Sequence, residues 1–373
     1  MVTSSFLPGM GGIESYLAGL CAELRPRLAV LAPARRDGRA LPRDLGYDVY
    51  GLSGRMLVPA RRVAGGIGAH ARLLGTDKIL FGTPWPLVLT GPQLAAAGLR
   101  YAVIVHGAEL LVPSVVPGLS TRVARALAGA DLLLPVSHFT GDAVRALLVR
   151  HNLPLPPIEV LRARVDLDRF HPGAPTDTIR KSLGVAPEAP IVLAFGRLVK
   201  RKGIDRLVDI AGDLAAAVPG TRVVVAGTGP EKARLERRAV RIGAPVIFAG
   251  RIADEDAPGL YAAANVFCLP VADRWSGLEA EGLGVVLLEA LACGTPAVAG
   301  RSGGTPEAVL DGTTGYVVDA RDRALLLRRI VHLLSEPETA RAMGMRGREH
   351  VREEFSERPL PPRLLSWLED GVR

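Results

Sequence analysis

Cysteine is scarce in this 373-residue sequence: Cys21, Cys268 and Cys293 stand far apart and form no Cys-x-x-Cys pair. That excludes a disulfide scaffold and a zinc ribbon, and it fits a reducing compartment. Aromatic residues are 5%. With so few stacking side chains and no nucleic-acid module in view, a pI near 9.8 does not argue for binding nucleic acid. The chain opens without the basic-then-apolar pattern of a secretory leader. The longest uncharged run, Ile79 to Leu99, is interrupted by Pro84, Pro86 and Pro92, which would break a spanning helix. It reads as a buried strand, a turn and a short helix. Charged residues are 23% and hydrophobic residues 48%, so disorder is not the main state.

What is present is an alternation of short apolar runs and helical segments, the pattern of parallel sheets with crossover helices. The length suits two domains. In the second half the expected strands are 191–195, 222–226, 246–249, 266–269, 297–299 and 316–318, with a helix over Asp205–Val218. In the first half, helical spacing joins Ile13, Leu17, Leu20 and Leu24, and strands are expected at 28–31, 78–81, 101–105 and 132–135. The reading is an α/β chain with an N-terminal domain over 1–170 and a C-terminal domain over 171–354. A C-terminal helix within 355–373 is expected to pack back on the first domain. Because a glycine-rich turn arrives by residue 9, either the first strand is short or the true start lies upstream. The net charge of +8 is concentrated early: 18 basic and 11 acidic residues fall in 1–166. An acidic partner is therefore expected at the first half.

Doubly wound sheets bind ligands at the carboxyl ends of their strands, so the turns there carry the chemistry. Gly9-Met10-Gly11-Gly12 precedes a helix, where backbone N–H groups and the helix dipole favour a phosphate; a glycine turn in this position is also often only a turn. Neither this turn nor Gly227-Thr228-Gly229 completes a dinucleotide fingerprint. Glu14 and Lys232 stand where the third glycine belongs, which argues against a nicotinamide dehydrogenase. Gly196-Arg197 through Lys202-Gly203 follows a central strand. Arg197 and Lys202 are taken as the functional cations, and Lys200 and Arg201 as solvated. Glu281-Gly282-Leu283-Gly284…Glu289 places two carboxylates on either side of a helix start, one suited to sugar hydroxyls and the other to the same role a turn further on. Ser302-Gly303-Gly304-Thr305-Pro306 is a further helix entry, with Thr305 expected as N-cap. Asp166-Leu167-Asp168 mimics a metal-binding pair but lies in the linker, and no metal site is expected.

Together these residues resemble a retaining glycosyltransferase of family 4, with two Rossmann-like doubly wound domains facing a cleft (GT-B). The Glu281…Glu289 element carries the resemblance most specifically. Gly196-Arg197-Leu198…Lys202-Gly203 and Val136-Ser137-x-Phe139-Thr140 support it. The run Gly277 to Gly284 is similar to phosphatidylinositol mannosyltransferases of the PimB type, which use GDP-mannose and a membrane phosphoinositide acceptor. The resemblance implies that Gly11 and Gly12 touch the diphosphate and that Arg197 and Lys202 neutralise it. It implies that Glu281 holds sugar hydroxyls, that Leu283 and Gly284 offer N–H groups, and that Glu289 binds the ribose. Arg251 and Ile252 would lie against the base, and His106 beside the sugar near the acceptor; a lone histidine after an apolar strand is otherwise more often structural. Where the family often has Asn-Gly before Val-Asp, this chain has Arg162-Ala163-Arg164.

The expected reaction moves a hexose, mannose from GDP-mannose, onto a lipid-linked acceptor with retained configuration, with no metal or other cofactor. The alternatives are a UDP-sugar transferase with a soluble acceptor and a non-catalytic nucleotide-sugar-binding protein. Residues 54–75 mix Arg55, Arg61, Arg62 and Arg72 with Met56, Leu57, Val58, Val63, Ile67, Leu73 and Leu74. That composition suits either an anionic membrane surface or an ordinary surface helix. The expected location is cytoplasmic, peripheral on the inner face of the membrane.

Overall fold

The computed structural model describes residues 1–8, 11–25, 27–36, 39–42, 45–54, 57–111 and 113–370. The chain divides into two compact units, Met1–Arg164 with Pro359–Arg373, and Val165–Arg358. The divisions fall a few residues from the 170/171 and 354/355 read from sequence. Val165 N–H donates to Phe355 C=O at 2.8 Å, which ties both crossings of the chain into the second unit.

In the second unit six parallel strands stand in the order Val246–Gly250, Arg222–Ala226, Ile191–Phe195, Val266–Leu269, Ala297–Gly300, Gly315–Val318. Continuous runs such as Val223-Val224-Val225 suit strands covered on both faces. One side packs on helix Ile204–Ala217 through Leu207, Val208, Ile210, Ala211 and Leu214, all buried. The strand order reverses between Ile191–Phe195 and Val266–Leu269. In such a sheet the loops leaving those two carboxyl ends form the natural ligand crevice.

The first unit repeats this order with one very short member. Val2 bridges Leu31 on one side and Phe81 on the other, both in parallel. The order is then Val49–Leu52, Val30–Pro33, Val2, Lys78–Phe81, Arg100–Val105, Leu132–Pro135. A single residue suffices because its neighbours supply four backbone bonds: Val2 N to Leu80 O, Thr3 N to Leu31 O, Leu31 N to Met1 O and Gly82 N to Val2 O. The strand Val49–Leu52 was not foreseen, its Val-Tyr-Gly-Leu run being too short to signal alone. Helix Pro362–Glu369 belongs to this unit. Trp367 Nε1 donates to Asp131 at 2.9 Å, and Lys78 Nζ donates to Leu368 C=O at 3.1 Å.

Candidate active site

At the order reversal of the second unit, the chain leaves Phe195 through Gly196 and runs to Gly203. Gly203 has φ of 66°, and a Cβ there would lie 2.0 Å from Pro270 O, on the loop leaving the neighbouring strand. Only glycine allows that approach, and it fixes Lys202 beside the loop that leads to Glu281. The Gly227-Thr228-Gly229 turn has a packing role of the same kind. A Cβ on Gly227 would lie 1.9 Å from Gly196 O, and Leu198 N–H donates to Thr228 C=O.

Glu281 is buried and receives two cations on one oxygen. Lys202 Nζ lies 2.8 Å from Glu281 Oε2, and Arg201 Nη1 donates to the same atom. Burial pushes the Glu281 carboxyl up, but Lys202 and Arg201 more than offset it and hold the group at about 2. Burial likewise lowers Lys202, against the pull of Glu281. The backbone is held as firmly as the side chain. Glu281 N–H donates to Ser302 Oγ at 3.0 Å, Ser302 Oγ donates to Asp273 at 2.5 Å, and Gly304 N–H donates to Glu281 C=O at 2.9 Å. Between Asp273 and Glu281 the chain makes a tight excursion with Trp275 and Ser276 at positive φ, pinned by an Arg274–Glu279 ion pair of 2.5 Å.

Helix Val285–Ala292 follows, with Gly284 at its N-cap in the left-handed region. Eight residues after Glu281, one turn into the helix, comes Glu289. It accepts a hydrogen bond from Tyr261 Oη at 2.5 Å. Burial raises the Glu289 carboxyl to about 7, with Tyr261 and the Arg169 guanidinium opposing. Tyr261 is itself fully buried among Phe170, Phe195 and Phe267. Arg169 reaches the segment after Arg251 and Ile252, donating to Asp254 C=O at 2.7 Å.

In the first unit His106 is buried at the end of its strand. Its Nε2 donates to Gly82 C=O at 2.8 Å, and the ring meets Tyr16 edge-on with centroids 5.0 Å apart. Gly11 caps helix Gly12–Leu24 and Glu14 folds back on it, so a Cβ on Gly11 would lie 2.6 Å from Glu14 Oε2. Gly9 and Met10 lie outside the described residues, as do Arg55 and Met56 of the basic-apolar stretch. Within that stretch Arg61–Leu73 is a helix burying Val63, Ala64, Ile67 and Ala71. Its Arg61, Arg62, Arg72 and Leu73 are exposed.

Of the sequence-named residues in the second unit, the structure pairs Lys202 with Glu281, and Leu283 and Gly284 follow at the start of the helix that carries Glu289, which has its own partner in Tyr261. Arg197 is exposed and, among the described residues, has no side-chain partner. Two expectations are corrected. Arg201, read as solvated, is three-quarters buried at its side chain and paired with Glu281. A run of four cations in six residues, Arg197 to Lys202, gives no clue to which side chains turn inward; the short helical turn Lys200–Lys202 decides it. Thr305 is not the N-cap: Gly304 is, while Thr305 Oγ1 donates to Gly300 C=O and accepts from Ser302 N–H. Tyr261 was missed because an aromatic in an apolar helix looks like core. Asp166 Oδ1 accepts from the N–H groups of Asp168 and Arg169, each at 3.0 Å, and so closes a turn.

Comparison with known proteins gives the family of the chain. The family model for glycosyl transferases group 1 matches residues 175–350. A GDP-mannose-dependent alpha-(1-6)-phosphatidylinositol monomannoside mannosyltransferase of Mycolicibacterium smegmatis is 36% identical, over 99% of this chain and 97% of its own. The monoacylated-acceptor counterpart of Corynebacterium glutamicum is 33% identical over 100% and 98%. Among solved structures, Anabaena HepE in complex with UDP and glucose superposes with a TM-score of 0.80 at 20% identity, covering 99% of each chain. That likeness is one of fold, the GT-B arrangement. Matched from end to end by these mannosyltransferases, and carrying paired glutamates beside a cation loop at the sheet's reversal point, the chain belongs to the group 1 glycosyltransferases.

Proposed function

We propose that this enzyme transfers mannose from GDP-mannose to a hydroxyl of a phosphatidylinositol mannoside, with retention of configuration. The observation that carries the reading is the Glu281 carboxylate, ionised and held by Lys202 and Arg201 where the sheet order reverses. The full-length identity to two GDP-mannose-dependent enzymes supports the choice of donor and acceptor.

The bond between mannose C1 and the diphosphate oxygen breaks as oxocarbenium character develops. Lys202 and the N–H groups at the start of helix Val285–Ala292 stabilise the negative charge growing on the leaving phosphate. Arg197, exposed just after its strand, turns onto the same phosphates. Glu281 accepts hydrogen bonds from mannose hydroxyls, and Glu289 accepts from the ribose. The acceptor hydroxyl attacks C1 from the face the diphosphate leaves, and its proton passes to a phosphate oxygen. GDP and the extended mannoside result, so atoms and charge balance without a covalent enzyme intermediate.

In the first unit, His106 lies beside the transferred sugar, and Gly11 and Gly12 approach the diphosphate. Helix Arg61–Leu73 rests on the anionic face of the membrane through Arg61, Arg62, Arg72 and Leu73, keeping the enzyme peripheral. Among the described residues no helix is long and apolar enough to cross a membrane.

The test is a product assay by mass spectrometry with phosphatidylinositol monomannoside as acceptor and GDP-mannose, GDP-glucose or UDP-glucose as donor. Mannosylated lipid from GDP-mannose alone is expected. Glucosylated lipid from UDP-glucose with none from GDP-mannose would overturn the reading. Sedimentation with vesicles that does not depend on anionic lipid would reject the membrane contact.

A further inference from the structure

Lys202 has a difficulty as a phosphate-binding cation. It is buried, and its Nζ sits 2.8 Å from a buried carboxylate, Glu281 Oε2. Taken as two groups, the pair is neutral. A diphosphate drawn to the ammonium would meet nearly equal repulsion from the carboxylate beside it, in a setting where water screens neither.

We propose that Arg201 is the positioning residue that resolves this: by sharing the Glu281 carboxylate, it leaves Lys202 free to act on the donor's diphosphate. The inference rests on the donor reading above and adds a role the sequence did not suggest. Both cations meet the same oxygen, Oε2. The cluster therefore contains two positive charges and one negative charge, and it keeps a net charge of one. An ammonium has three donors, and a guanidinium has five in a fixed fork. With Arg201 holding Oε2, Lys202 can turn its remaining protons to phosphate without stranding Glu281 as a lone buried charge. Exposure agrees with the division of labour. The Arg201 side chain is 25% exposed and those of Lys202 and Glu281 are 10% exposed, so Arg201 is the partner nearest solvent. Lys200, next in the chain, is exposed and takes no part.

The experiment is calorimetric titration of GDP and of guanosine into the full chain and its variants Arg201→Ala, Arg201→Lys, Glu281→Gln and Arg201→Ala/Glu281→Gln. Arg201→Ala should weaken GDP by about tenfold or more, while guanosine, which carries no phosphate, stays within about twofold. Arg201→Lys should recover most of the loss. In the Glu281→Gln background the same Arg201→Ala change should cost GDP little, because Lys202 no longer faces a carboxylate. That coupling separates the proposal from a structural role.

Equal weakening of GDP and guanosine would overturn it, as would an unchanged GDP affinity. An equal Arg201→Ala loss in both backgrounds would also overturn it, because Arg201 would then touch phosphate by itself. If the wild-type chain neither binds GDP nor uses GDP-mannose, the donor reading fails. If it does both and Arg201→Ala matches it, only this inference fails.

Discussion

Glu281 and Glu289 belong to one short element, yet the fold treats them in opposite ways. Two cations hold Glu281 at about 2, while burial beside a tyrosine hydroxyl raises Glu289 to about 7. The spacing that joins them carries no information on this difference. It comes from surroundings that the fold supplies: Arg201 and Lys202 lower the first, and burial, opposed only in part by Tyr261, raises the second. One end of the element is thus committed to charge at any working pH. The other sits at the edge of ionisation.

The largest effect should come from the cation at the Glu281 end. Lys202→Ala is expected to lower kcat/KM for the donor by about a thousandfold in steady-state kinetics, since in the proposed mechanism it removes a donor to the leaving group. A loss of only a few-fold would move the centre of the chemistry elsewhere.

Next is the contrast itself, read as stability. Glu281→Gln leaves Lys202 and Arg201 without their counter-charge and should cost about 3 kcal/mol in urea denaturation at pH 8. Glu289→Gln at the same pH should be neutral or stabilising, because it removes a buried ionised group while an amide can still accept from Tyr261. Equal losses would break the comparison.

The two carboxyls should also mark the pH dependence in opposite senses. Glu281, lowered from an ordinary 4.5 to about 2, contributes stability that is complete above about 4.5 and lost as pH falls toward 2. Glu289, raised from 4.5 to about 7, binds its proton more tightly when folded, so its contribution is complete below 4.5 and lost as pH rises toward 7. Unfolding measured from pH 3 to 8 in wild type and in Glu289→Gln should differ in slope only in the upper window.

A smaller effect is expected from Tyr261→Phe. Without the hydroxyl, Glu289 loses a stabilising donor and should ionise at still higher pH. The fall in donor KM on raising pH through about 7 should then move upward, with kcat changed less than about twofold. Lys200→Ala, at an exposed position in the same cation run, should change neither kinetics nor stability beyond about 0.5 kcal/mol.

Much of the second unit was legible in the chain itself. Runs such as Ile191–Phe195 and Val266–Leu269 are buried strands at nearly the residues their apolar character indicates, because burial on both faces demands unbroken hydrophobicity. The first unit was less legible. Its central member is a single bridged residue, Val2, and no periodicity can be read from one residue. Thr305 was misplaced at the helix entry because its hydroxyl serves Gly300 and Ser302, partners that only the folded loop supplies.

The amino-acid order alone determined the alternating α/β plan, the glycine-rich turns before helices, and the two acids eight residues apart. These follow from local rules of hydrophobic period, positive φ and helix entry, which act over a few residues. Only the tertiary structure decided that Arg201 turns inward to share Glu281 with Lys202, and that Tyr261 addresses Glu289. Electrostatic and hydrogen-bond partners are set by distance in space, and the strand order that creates those distances is fixed by packing across the whole sheet.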